Sequence, residues 1–143
     1  MDKLAVRGGA ETEAMLLAAP EEEYMSARQL AFFRQRLREE EEALLSAVKE
    51  TAGHLQEAET SSDWSDRAST EEEHTLELRV RDRERKLLQK IREALRRIDD
   101  GSYGWCEETG EPIGMARLLA RPTASLSLEA QERREQSKRR FGG

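Results

Sequence analysis

SARQLAFFRQRLREEEEALLSAVKETAGHLQEAE (residues 26–59) and ASTEEEHTLELRVRDRERKLLQKIREALRRID (residues 68–99) are both highly charged, and both carry apolar residues at helical steps. In the first, Leu30, Phe33, Leu37, Leu44, Val48, Thr51 and Leu55 keep a three- and four-residue spacing over about four heptads. In the second, Leu76, Val80, Leu87, Ile91, Ala94 and Ile98 form the predicted seam, with Arg83 falling on it and snorkelling outward. Gly53 is a weak point in the first helix, costing about 1 kcal/mol relative to alanine. Between the stretches, TSSDWSDRAST at 60–70 is rich in cap-forming residues. Asp66 or Ser65 is the expected N-cap, with Glu71, Glu72 and Glu73 near the positive end of the helix dipole. The expected architecture is mainly α: a long antiparallel coiled-coil hairpin over 26–99 with its tip at 60–68. A helix of about 32 residues spans roughly 48 Å.

Outward from the hairpin the character changes. Asp99, Asp100 and Gly101 end the second helix, and Gly104, Gly110, Pro112, Gly114 and Pro122 cut the next stretch of chain into short pieces. Ser127 or Ser125 caps a final helix running to about Arg139. Residues 100–143 therefore read as a small body plus a C-terminal helix, with Trp105, Ile113, Leu118, Leu119, Leu126 and Leu128 as its expected core. Residues 1–25 form an N-terminal tail and the first part of that body; up to Pro20 they show no period and are expected to be loosely ordered.

Composition narrows the function. With 36% hydrophobic and 38% charged residues, the chain is too polar for a large core and suits long exposed helices. It has no apolar run of membrane-spanning length and no secretory h-region, so a cytoplasmic protein is expected. The single Cys106 rules out an internal disulfide. Net charge is −6, yet residues 1–75 hold 18 acidic and 8 basic residues while residues 76–143 hold 12 and 16. An acidic total argues against broad binding to a DNA backbone and favours a protein partner. There is no Ser/His/Asp set, no phosphate-cradling glycine loop and no metal cluster, so no enzyme is expected.

The segments EEEYMSARQLAFFRQRL, EEEHTLELRVRDRERKLLQKI and YGWCEETGEPIGMARLLARPTASLS resemble the DksA family of bacterial RNA polymerase-binding transcription factors. The resemblance covers residues 20–141, and the RDRERK and GEPIG…ARPTA runs are specific together. It implies a coiled-coil hairpin on a small zinc-finger-like body. Many members close that body with four cysteines, and the matching positions here are Cys106, Thr109, Ser127 and Ala130. The spacing is kept but the ligands are not: one thiolate, two hydroxyls and a methyl cannot hold structural zinc. No zinc is expected, and His54 and His74 lie on the hairpin.

The resemblance also implies partners and sites. RNA polymerase core or holoenzyme is the expected partner, entered through its secondary channel by an acidic tip matching Asp63, Asp66 and Ala68. Asp66 taken alone is a helix cap, whereas Asp63 is harder to explain that way, and Trp64 on a loop suggests contact. The alarmone ppGpp is the expected effector, with Leu87, Lys90 and Arg121 at matching positions; a further, usually basic position is Gln131. Read without the resemblance, Arg79 to Lys90 is a solvated charged face. Cys106 is read as a packed remnant of the zinc site rather than a redox sensor, since Glu107 and Glu108 should raise its pKa. The resulting expectation is a monomeric regulator of promoter open complexes that reads no DNA sequence and meets no membrane. The alternatives are a transcript-cleavage factor using the same channel, or a generic coiled-coil adaptor.

Overall fold

The computed structural model describes residues 12–59 and 64–141, apart from the side chains of 54–70 and of Phe141. Its α-helices are α1 Glu13–Ala18, α2 Ala27–Glu59, α3 Trp64–Asp100, α4 Met115–Ala120 and α5 Leu128–Phe141, with a 3-10 turn at Glu21–Glu23. Among the described residues the one extended pairing is an isolated antiparallel bridge between Trp105 and Pro112. No helix among them is long and apolar enough to cross a membrane. The chain packs as two units, Met1–Leu37 with Glu93–Gly143, and Arg38–Arg92.

In the Arg38–Arg92 unit, α2 and α3 run antiparallel. Arg92 Nε donates to Glu41 Oε2 at 2.9 Å, and farther along α2 the Thr51 hydroxyl lies 3.2 Å from Glu84 Oε1. On α2 the expected seam residues Leu44 and Val48 are half-buried and Thr51 is buried, while the side chain of Leu55 lies outside the description. The α3 seam departs from the expected one between Leu76 and Leu87. Leu76, Val80 and Leu87 are exposed, while Glu77, Glu84 and Leu88 are half-buried and Ile91 is buried. The stripe that faces α2 is about 100° around the helix from the leucines, one residue out of phase. A carboxylate is tolerated on it because Thr51 places its hydroxyl, shared with Ala47 O at 3.0 Å, against Glu84.

The other unit is built on the start of α2 and the end of α3. Phe33, Leu37, Ala94 and Ile98 are buried, and Arg34 pairs with Asp99 at 2.8 Å. Tyr103 is buried against Phe33, ring centroids 5.4 Å apart, and its hydroxyl donates to Pro122 O at 2.8 Å. Residues 13–18, expected to be loosely ordered, form α1 instead. Thr12 caps it by accepting from Met15 N at 3.2 Å, and Leu16 is buried where α1 packs on α4. Arg36 ties three helices together: it binds Glu13 on α1 at 2.8 Å and Leu119 O on α4 at 3.3 Å from its place on α2. Of the expected core residues Ile113, Leu118 and Leu126 are buried, Leu119 is half-buried, and Trp105 and Leu128 are exposed; Ala124 and Ala130 are buried as well. The final helix is capped as expected, with Ser127 Oγ accepting from Ala130 N at 3.2 Å.

Gly104 shows how tight this unit is. Its φ is +93°, and a Cβ there would lie 2.6 Å from Met25 Cγ and Sδ, with Met25 itself at φ 58°. Gly104→Ala combines left-handed backbone strain with overpacking and should lower unfolding free energy by about 2–4 kcal/mol. Urea unfolding checks this, and a loss below about 0.5 kcal/mol, the range of an innocuous surface change, contradicts it.

Candidate functional site

Short loops after α3 build the part of the molecule where chemistry-bearing side chains meet. Gly110 N donates to Cys106 O at 2.9 Å and Cys106 N to Glu111 O at 2.8 Å, closing a tight knuckle over residues 106–111. Ile113 N donates to Gly104 O at 2.8 Å, and Glu107 N reaches across to Ser125 O at 2.9 Å. The last bond brings the loop before α5 against the knuckle. Tyr24 fastens the N-terminal segment to the same loops: its hydroxyl donates to Gly104 O at 2.6 Å and accepts from Gly114 N at 2.9 Å, with its ring edge-on to Trp105. Burial pushes the Tyr24 phenol up, so it keeps the proton that it donates.

Cys106 is buried at the centre of this arrangement. Hydrogen bonding from Thr109 and Ser127, side chain and backbone, acts to lower its thiol pKa. The two hydroxyls are oriented from behind, since Thr109 Oγ1 accepts from Glu111 N at 3.2 Å and Ser127 Oγ from Ala130 N at 3.2 Å. Each hydroxyl therefore takes a backbone proton on its oxygen and keeps its own to donate. Burial by itself pushes the thiol up, but the hydrogen bonding from Thr109 and Ser127 outweighs it and brings Cys106 from 9.0 down to about 6. This corrects the expectation that Glu107 and Glu108 raise it: both residues are exposed, and the donors come from Thr109 and Ser127.

The other expected site residues are dispersed. Asp63 lies outside the described residues. Asp66 and Ala68 lie within α3, their side chains outside the description; α3 starts at Trp64, so neither Ser65 nor Asp66 is its N-cap. Leu87 and Lys90 are exposed on α3 in the Arg38–Arg92 unit. Arg121 is exposed at the end of α4 in the other unit. Gln131 is half-buried on α5, donating to Glu135 Oε2 at 3.0 Å. Arg134 holds Glu108 of the knuckle at 2.7 Å.

A helical hairpin followed by a knuckled body defines a class, and the comparisons identify it. Residues 29–98 match the family described as DnaK suppressor protein DksA, N-terminal domain, and residues 101–136 match the prokaryotic dksA/traR C4-type zinc finger. The chain is 58% identical over 120 residues to the RNA polymerase-binding transcription factor DksA of Caulobacter vibrioides, covering 83% of this chain and 84% of that protein. It is 45% identical over 125 residues to the protein of the same name from Escherichia coli, covering 87% and 83%. The solved structure of transcription factor DksA2 from Pseudomonas aeruginosa superposes with a TM-score of 0.83 at 48% identity, covering 90% of this chain and 99% of that one. The chain belongs to the DksA family.

A C4-type finger implies zinc, and the residues present do not fit it. Both candidate hydroxyls already serve Cys106, Ala130 contributes only a fully buried methyl, and one thiolate remains. Among the described residues no three His, Cys, Asp or Glu side chains come together to hold a metal.

A depressed thiol pKa is also a stability term. The folded state holds the thiolate from about pH 6 upward, the unfolded chain only from near 9, so Cys106 stabilises the fold increasingly between these values. That contribution is fully present above the unfolded pKa and is lost as pH falls through about 6. Thiolate absorbance at 240 nm should titrate near pH 6, and the urea midpoint relative to Cys106→Ala should rise from pH 6 to 9. A thiol titrating at its ordinary value contradicts this assignment.

Proposed function

We propose that this chain regulates transcription by binding RNA polymerase directly, carrying the α2–α3 pair into the secondary channel with Asp63, Asp66 and Ala68 foremost. The observation that carries the reading is the 58% identity, over most of both chains, to a protein named as an RNA polymerase-binding transcription factor. Two long helices separated only by residues 60–63 agree with it. The acidic net charge of −6 supports a factor that contacts polymerase rather than reading DNA. We further infer that ppGpp tunes the effect, with Leu87, Lys90 and Arg121 as the residues the family resemblance implies for it, and that the body folds without zinc. All three of these residues are exposed, as effector contacts must be. The protein would act where polymerase works, in the cytoplasm.

The mechanism is a population shift. A factor that binds one polymerase conformation better than another by about 1.4 kcal/mol changes the occupancy of a marginal promoter complex tenfold. Purified protein should shorten open-complex lifetime at a ribosomal-type promoter by about that factor. Asp63→Asn with Asp66→Asn should abolish the shortening while polymerase binding persists, and Lys90→Ala with Arg121→Ala should remove only the response to ppGpp. Polymerase binding with unchanged open-complex lifetimes would refute the mechanism. RNA cleavage in stalled complexes would replace it with the cleavage-factor reading.

A further inference from the structure

The unit that holds Cys106 also carries an apolar cleft of about 340 Å³, lined by Leu16, Leu17, Pro20, Tyr24, Trp105 and Pro112 among others. Leu17 is 56% exposed and Trp105 38%, so two of the large apolar side chains that this unit leaves at its surface line the cleft. The cleft is small for a ligand pocket and of a size for an anchoring side chain. Its setting is acidic. Glu21 lines it, Glu22 and Glu23 continue on the same 3-10 turn, and Glu111 adjoins Pro112; all four are exposed. From Thr12 to Met25 the sequence has no Lys or Arg. Of the cations near it, Arg36 binds Glu13 at 2.8 Å and Arg117 donates to Leu126 O at 2.9 Å, while Arg28, next to the lining residue Gln29, is exposed.

An apolar centre ringed by carboxylates selects its occupant by charge. It repels a nucleic-acid backbone or an acidic peptide and attracts a basic segment that presents a large apolar side chain. We propose that this cleft docks such a segment of RNA polymerase, the apolar residue entering between Leu17 and Trp105 while Lys or Arg side chains meet Glu21, Glu22, Glu23 and Glu111. The inference rests on the chain being a polymerase-binding factor and adds a second hold on the enzyme, independent of residues 63–68. Apolar insertion supplies residence time, and the carboxylates supply encounter rate and salt dependence.

The test titrates fluorescently labelled full-length protein with polymerase holoenzyme at low and moderate salt, using two variants. Leu17→Arg places a cation in the cleft, and Glu21→Lys, Glu22→Lys, Glu23→Lys together reverse the rim. All four side chains are exposed, so the fold should survive, and far-UV circular dichroism with urea midpoints checks that it does. Each variant should raise Kd about tenfold or more, the size of a lost hot spot, and the rim reversal should flatten the salt dependence. If wild type and both variants bind within twofold of each other, the cleft is overturned and the polymerase reading stands. If wild type itself does not bind, the polymerase reading falls and takes the cleft with it. A wild-type dimer that Leu17→Arg dissolves assigns the cleft to a second copy and also overturns the proposal.

Discussion

One buried cysteine sits where the loops on which the body depends are tied together by backbone hydrogen bonds at residues 106, 107, 110 and 111. Hydrogen bonding from Thr109, three residues away, and from Ser127 at the start of α5 lowers its thiol pKa, so Cys106 is linked both to a turn and to a helix entry. Magnitudes show what this can and cannot do. Hydrogen bonds to a charged group contribute about 1.5–3 kcal/mol each, whereas a structural zinc contributes about 10–16 kcal/mol. The sulfur cluster therefore organises the loops but does not match a metal by itself. The remainder falls to packing and to two tyrosines: Tyr103 joins the Phe33 face of α2 to Pro122, and Tyr24 joins the N-terminal segment to Gly104 and Gly114. Each seats an apolar ring and satisfies backbone groups that short loops would otherwise leave unpaired.

The Arg38–Arg92 unit is held together differently. Its covered apolar residues are Leu44 and Val48 on α2 and Leu88 and Ile91 on α3, and polar Thr51, Glu77 and Glu84 are covered with them. The leucines of α3 that would have made a drier seam, Leu76 and Leu87, stay at the surface. Holding a helix pair together through a hydroxyl–carboxylate contact weakens it relative to an apolar zipper but fixes its register. Exposed apolar residues on both units are what a protein that works by docking onto another would carry.

The helical hairpin was legible because the residues at fixed steps along α2, from Leu30 to Thr51, are the covered ones in the structure. On α3 the phase was legible from Ile91 to Ile98 but not over the stretch from Leu76 to Leu87. Two stripes one residue apart compete there, hydropathy favours Leu76, Val80 and Leu87, and only the position of Thr51 on the opposite helix selects Glu84. α1 escaped notice because six residues are too few to show a period, and Leu16 is fixed only by tertiary packing. Large apolar side chains were expected inside the body, yet the closely packed interior takes Ala124 and Ala130 and turns Trp105 and Leu128 outward. Spacing located the four positions around Cys106, but its sequence neighbours mislead about the electrostatics. The groups that set the thiol come from Thr109 and Ser127, while Glu107 is exposed and Glu108 is paired with Arg134.

The zinc-free body is the proposal on which the reading of this family member turns. Metal content measured on protein purified from zinc-supplied cells, together with urea unfolding before and after exposure to a strong chelator, tests it directly. Substoichiometric zinc and an unchanged unfolding midpoint are the predicted result. Stoichiometric zinc whose removal unfolds the segment from Ser102 to α5 would contradict it.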